Sequence, residues 1–365
     1  MALTRIQPPA IADVREPNFR NIIINGNMQI AQRGTSTASI TTSTYTVDRF
    51  QQVFAGTTPG TWTMSQSTDV PTGQGFANSL KLDCTTANGS LSADSLLYLT
   101  QKLEGQNLQY IKKGTSSAES LTVSFWVKSN KTGTYIVELN DLDNTRTIHN
   151  SYTISVADTW EKKTLTFAGD TSGALGNDNG DSLRLIWWLA AGSNYNSGTL
   201  NTAWESTTNA NRAVGNVNLA DSTSNELYVT GVQLEAGSVA TDFEVVPYGQ
   251  NLERCQRYCI KSGTGSSHNS VGGLGLAFST TQVDTNFYLY LPMRSIPSLT
   301  QSGNFQVSDA SAGTATTSIT LISAQSSDYN LSVRSVVSSG LTDKRPYRLE
   351  AANSTTAYLL FSAEL

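Results

Sequence analysis

The sequence predicts an all-β protein: a β-sandwich over residues 22–247, a smaller β-domain over 248–365 and an extended N-terminal arm over 1–21. Three observations predict it. Short runs of alternating apolar and polar residues recur along the chain, and such alternation puts one face of a strand in a core and the other in solvent. Gly, Asn, Asp and Pro clusters, such as Thr58-Pro-Gly60, Asn130-Lys-Thr-Gly133 and 169–181, punctuate those runs where turns are needed. Helical periodicity is almost missing, Glu104–Tyr110 being the one candidate turn. No repeat of 20–50 residues is visible, which argues against a propeller or solenoid.

In the arm, Pro8, Pro9 and Pro17 break regular structure, and Arg5, Arg15 and Arg20 add positive charge without a periodic apolar face. It reads either as a free tail or as a segment that orders when it docks on another subunit. Asn21–Gly34 follows as an apolar run, Asn25-Gly26 and a second run, which predicts a hairpin. Strands are then expected at Trp62–Ser65, Ser79–Asp83, Leu96–Leu103, Leu121–Lys128, Gly133–Leu139, Ser151–Val156, Lys162–Phe167, Leu183–Leu189 and Leu227–Leu234. In the last, Tyr228, Thr230, Val232 and Leu234 are expected on one face and Leu227, Val229, Gly231, Gln233 and Glu235 on the other, with Phe243 as an aromatic plug beyond. Composition changes again at Pro247–Asn251. Seven further strands are expected between Leu274 and Ala363, enough for a second β-domain.

Charge excludes some partners. The chain has 24 basic and 29 acidic residues and a formal net charge of −5, with 15% charged residues. That balance leaves no electrostatic footprint for nucleic acid or an anionic membrane. The N-terminus lacks an apolar signal core, and no run approaches the roughly 18 apolar residues of a membrane helix. The expectation is a protein made in a cytoplasm, without membrane insertion, reaching the exterior by a route such as lysis. Cys84, Cys255 and Cys259 form an odd set and no disulfide framework. Cys255 and Cys259 would share a helical face, but no other close ligand completes a zinc site.

Aromatic residues supply the binding candidates. Leu121, Val123, Phe125 and Val127 form one face of a strand, leaving Trp126 on the other with Thr122, Ser124 and Lys128. Trp187 and Trp188 are adjacent, so they point to opposite faces and cannot share one core. Tyr195 and Trp204 lie on the loop beyond. Trp126, Trp187 or Trp188, Tyr195 and Trp204 are therefore candidates for a sugar-stacking platform, with Asn and Asp as hydroxyl partners. A covering loop or a subunit contact would account for outward tryptophans equally. The acidic loops bearing Asp141, Asp143, Asp178 and Asp181 carry the oxygen ligands Ca²⁺ favours; Asp, Asn and Gly also make ordinary turns, the preferred reading. Catalysis has little support: His149 and His268 lie in polar loops, and no nucleophile elbow, zinc-protease helix or phosphate loop appears.

Seven segments in order carry a resemblance: Ile22–Gly34, Tyr45–Phe50, Gln101–Gln106, Leu121–Ser129, Thr159–Thr164, Leu189–Ser193 and Thr230–Ser238. The last of these lies in Thr223–Val245, which resembles the final strand of jelly-roll domains in bacteriophage tail fibres and receptor-binding proteins. Together the seven resemble the carbohydrate-binding-module-like jelly roll of phage tail-fibre and tail-tip proteins. Downstream, Cys255–Tyr258, Pro292–Pro297 and Phe361–Leu365 resemble the small β-domain that often follows it. The resemblance implies a jelly-roll sandwich and a non-enzymatic virion structural protein, a homotrimeric tail fibre. Its arm would dock on other virion proteins and the protein would contribute to host attachment through surface glycan. It also favours a structural calcium. Capsid decoration, or another non-receptor virion role, is the alternative, because fold alone does not fix function.

Overall fold

The computed structural model describes residues 19–263, 265–309 and 311–365. The expected arm, with Arg5 and Arg15, lies outside them except for its last residues. Of these, Arg20 is half-buried and its guanidinium donates to the Asp242 carbonyl at 3.4 Å.

The chain is all-β and divides into two units. The first comprises residues up to Asn27, Ala38–Ser43 and Gln52–Val246; the second comprises Met28–Thr37, Thr44–Gln51 and Pro247–Leu365. The main stretch of the second unit begins at Pro247, and two N-terminal stretches that the sequence placed in the sandwich join it. Buried polar groups explain why. Gln32 donates to Asp48 and to the Cys259 carbonyl, while Arg33 and fully buried Arg49 pair with Glu364. Arg49 also lies 3.4 Å over the Tyr258 ring. Burial alone would lower the Arg49 pKa, but Glu364 beside it holds the guanidinium charged.

The expected jelly-roll sandwich forms from strands β1 (Ser36–Ile40), β2 (Thr44–Tyr45), β3 (Gln51–Ala55), β4 (Thr61–Ser67), β5 (Ser79–Thr86), β6 (Leu96–Glu104) and β7 (Leu121–Ser129). It continues with β8 (Gly133–Asp141), β9 (Arg146–Ile154), β10 (Glu161–Phe167), β11 (Asp181–Ala191), β12 (Glu205–Ser206) and β13 (Glu226–Ala236). One sheet runs β1-β4-β5-β13-β7-β10 and the other β12-β9-β8-β11-β6-β3-β2. Between them Phe125 of β7 meets Trp187 of β11 and Tyr152 of β9 edge-on, at 5.6 and 5.2 Å. Leu121, Val123, Phe125 and Val127 all face this core, as alternation requires.

Strand β13 departs from simple alternation. Its pairing with β7 slips between Thr230 and Gln233, so Gly231 and Val232 together oppose Phe125. This is a β-bulge, and it reverses which side later residues face. Val229 is paired with Val127 and Leu234 with Val123, so Leu227, Val229, Val232 and Leu234 are buried as one core set. Tyr228, Thr230, Gln233 and Glu235 take the other face. Gly231 sits at φ 60, and a Cβ there would lie 2.6 Å from the Phe76 ring, so only glycine fits.

The hairpin expected at Asn21–Gly34 does not form. Its backbone groups pair with the bulge instead: Ile22 N–H donates to Leu234, and Val232 N–H donates to the Gly26 carbonyl, both at 2.9 Å. Gly26 is needed for close approach, since a Cβ would lie 2.0 Å from the Val232 carbonyl oxygen. Phe243 plugs the same region, 5.2 Å from Phe76.

The first unit also holds a short helix α1 (Ser193–Asn196), and the second opens with helix α2 (Tyr248–Gln256), which the sequence did not suggest. Strands β14 (Cys259–Gly263), β15 (Ser270–Ala277), β16 (Gln282–Tyr288), β17 (Ser298–Ser302), β18 (Phe305–Ser308), β19 (Gly313–Leu321), β20 (Asn330–Val337), β21 (Pro346–Ala351) and β22 (Tyr358–Ser362) follow. A closed barrel, β15-β16-β20-β19-β18-β21, stands with a three-stranded sheet, β14-β22-β17. Closure leaves the barrel no free edge. Val283, Leu331, Val333, Leu349, Leu359 and Phe361 form part of its core.

Candidate functional site

The structure does not bring the five candidate rings together. Trp126 is half-buried on the six-stranded sheet, where β13 and β10 flank it through Thr230 and Lys162. Trp187 is buried between the sheets. Trp188 takes the opposite face, as adjacency required, yet it too is 0% exposed. It packs with Tyr98, Ile136, Ile186 and Ala213, and Tyr195 leans on it at 5.7 Å. Trp204 stands apart, donating through its indole N–H to the Ala168 carbonyl, with Lys113 over its ring.

Polar neighbours fix Trp188 as well. Its indole donates to Glu138 at 2.7 Å, Arg212 clamps the same carboxylate at 2.7–3.1 Å, and His149 Nε2 lies 3.4 Å away. Burial would raise the Glu138 carboxyl, but Arg212 and His149 outweigh it and hold it at about 2. A sugar could not reach this ring without displacing the 193–213 segment, whose Tyr195, Arg212 and Ala213 cover it.

Each of the expected calcium ligands has a protein partner, and the Asp143 and Asp178 carboxylates both lie against Gly176. Asp141 pairs with Lys113 at 2.5 Å. Asp178 accepts from the Gly180 N–H two residues on, as in an ordinary turn, and Asp143 accepts from the Gly176 N–H of another loop, both at 2.8 Å. Asp181 pairs with Arg184. Among the described residues no group of three or more His, Cys, Asp and Glu could hold a metal ion. Cys84, Cys255 and Cys259 are free and buried. Burial pushes all three thiols up, Cys84 to about 11. His149 is buried and His268 exposed beside Ser267. No helix among the described residues is long and apolar enough to cross a membrane.

The second unit holds what the sequence reading missed: a groove of about 620 Å³ between α2, β14 and the outer wall formed by β15 and β16. Alternation along β16 buries Thr285 and Phe287 and turns Asn286 and Tyr288 outward. Tyr288 is 78% exposed and Tyr290, just past the strand, is 104% exposed; Leu274 of β15 is 70% exposed. From α2, Glu253 and Gln256 line the same groove, three residues apart and so on one helical face.

Glycine shapes the wall. The pairing of β15 with β21 slips between Ser270 and Leu274, and Gly272 and Gly273 lie in the slip. The Phe287 ring fills the space beneath Gly272, 2.7 Å from a Cβ placed there. At Gly273 the nearest atom to such a Cβ is the Asn286 carbonyl oxygen at 3.4 Å, so this part of the wall is bare backbone facing the groove. Bare backbone in a strand lets a ligand approach closely. None of the lining residues is Lys, Arg or His, and Glu253 is the sole carboxylate among them. Tyrosine faces beside amide and carboxylate groups can stack on an apolar ring while bonding its hydroxyls.

No family model matches the chain, and no curated protein matches it. Solved structures do. The enzymatically active domain of tailspike protein 4 of bacteriophage CBA120 is 15% identical over 60% of this chain, with a TM-score of 0.32; the chain spans 22% of that one. The CBM22-1 xylan-binding domain of Paenibacillus barcinonensis Xyn10C is 14% identical over 56% of this chain and 94% of its own, TM-score 0.28. A family 11 carbohydrate-binding module of Clostridium thermocellum, solved with a mixed-linked tetrasaccharide, is 13% identical over 57% and 99%, TM-score 0.25.

Proposed function

We propose that this chain is a phage virion structural protein, a homotrimeric tail fibre that contributes to host attachment by holding surface glycan in the groove of its second unit. The observation that carries the attachment reading is the pair of exposed tyrosines, Tyr288 and Tyr290, beside the bare Gly273 wall and the polar groups of Asn286, Gln256 and Glu253. Large exposed aromatics flanking a groove mark binding surfaces. The ordered resemblance of seven segments to phage tail-fibre proteins supports the virion assignment, and the sandwich, whose Trp187 and Trp188 are buried, serves as spacer. Weak single contacts would gain strength in a trimer, because linked sites raise effective concentration.

Two experiments test this. An antibody against residues 265–365, gold-labelled on virions, should mark fibre ends; label spread over the head would favour a decoration role instead. Free protein should compete with virions for adsorption, and the Tyr288→Ala/Tyr290→Ala variant should not compete although it is folded. Undiminished competition by that variant would remove the groove from attachment.

A further inference from the structure

We infer that the groove selects neutral glycan and rejects sugars carrying carboxylate, sulfate or phosphate groups. This rests on the glycan reading above and narrows it to a chemical class. The lining provides one carboxylate, Glu253, exposed on the groove face of α2, and no cationic side chain. An anionic sugar therefore meets a like charge with no Arg or Lys to pair its own, and proteins recognise carboxylate and phosphate through such cations. A neutral sugar meets only what it can use. Its ring stacks on Tyr288 or Tyr290, and its hydroxyls reach the Gln256 and Asn286 amides, which both donate and accept. Glu253 accepts from hydroxyls as well, so its charge assists a neutral ligand and opposes an anionic one. The bulge at Gly272 and Gly273 supplies the room for the ring to lie against backbone.

The test is direct binding of the full chain to matched neutral and anionic oligosaccharides, at low and high salt. Neutral oligosaccharides should bind with little salt dependence, and anionic partners of the same length should bind about tenfold or more weakly at low salt. Glu253→Gln should weaken neutral binding and strengthen anionic binding, so that the discrimination shrinks; Glu253→Lys should shrink it further or reverse it. Gly273→Leu, at a position whose backbone accepts a side chain, should abolish binding by filling the groove, with Gly273→Ser as the milder variant should Leu impair folding. Tighter binding of anionic sugars by the wild type, with Gly273→Leu still blocking it, would overturn the class while leaving the glycan reading in place. Binding of neither class would overturn both. A shift in sedimentation of Tyr290→Ala, with no sugar bound by the wild type, would make the groove a contact between copies of this chain and overturn the proposal.

Discussion

The covered face around Trp188 and the open groove around Tyr290 are both aromatic, yet they are built in opposite ways. At Trp188 each group has an assigned partner: the indole holds Glu138, Glu138 holds Arg212, and Tyr98 and Tyr195 flank the ring. At the groove the rings stand in solvent beside a stretch of wall, Gly272-Gly273, that carries no side chains. An aromatic residue whose polar neighbours are already paired has its binding capacity used within the fold. One left exposed beside unoccupied backbone has it available for a ligand.

Mutation should separate the two regions, and the largest effects belong to the covered face. Trp188→Ala should destabilise the sandwich by roughly 3–5 kcal/mol, as large buried aromatics do. Glu138→Ala should cost about as much, because it leaves Arg212 charged and unpaired in a buried setting. Chemical denaturation read by far-UV circular dichroism would check both, and a loss below about 1 kcal/mol would contradict the packed arrangement. Tyr288→Ala and Tyr290→Ala should behave oppositely. Each should change stability by no more than about 0.5 kcal/mol. Together they should weaken glycan binding roughly tenfold or more, since each ring adds about 0.5–1.5 kcal/mol.

Acid should act on the covered face next. The Glu138 carboxyl sits at about 2 in the fold against an ordinary 4.5, so the unfolded chain takes up its proton first. The stability this pair contributes is fully present above about pH 4.5 and is lost as pH falls toward 2. Melting temperature across that window should fall, and the fall should flatten in Glu138→Ala. The smallest effect belongs to Trp126→Ala. Half-buried on the six-stranded sheet, it should leave glycan binding unchanged and cost little stability; a large loss of binding would return the six-stranded sheet to consideration.

Much of the fold was legible because burial on one side of a sheet leaves a period of two in the sequence. That sufficed for Leu121–Ser129, whose core residues are those the alternation marked. It failed where a contact distant in sequence dictated local shape. Asn25-Gly26 looked like a hairpin turn, but Gly26 is required by the carbonyl of Val232, some 200 residues on. The bulge in β13 likewise reversed the faces that plain alternation assigned beyond Thr230. Helix α2 is nine residues long, too short for a clear apolar period, and its N-cap, Pro247, has no side chain that could cap it.

The site was less legible than the fold. Trp187 and Trp188 were correctly assigned to opposite faces, but a sequence does not show that a loop such as 193–213 closes over one of them. The partners of the acidic residues were equally hidden: Asp141 meets Lys113 and Asp181 meets Arg184, and neither pairing leaves a signature in the residue order. The groove draws Glu253 and Gln256 from a helix, Tyr288 from the end of a barrel strand and Tyr290 from just past it. The signal available in sequence was Gly272-Gly273 inside a strand pattern, which marks a bulge or a close approach, together with tyrosines two apart on an outward face.

The most direct test of the central claim is hydrogen exchange measured on the full chain with and without saturating neutral oligosaccharide. Added protection in 253–262 and 272–291, with 93–100 and 188–213 unchanged, is the predicted result. Protection confined to 93–100 and 188–213 would contradict it, showing that the covered face of the sandwich opens to bind sugar and that the tyrosine groove does not.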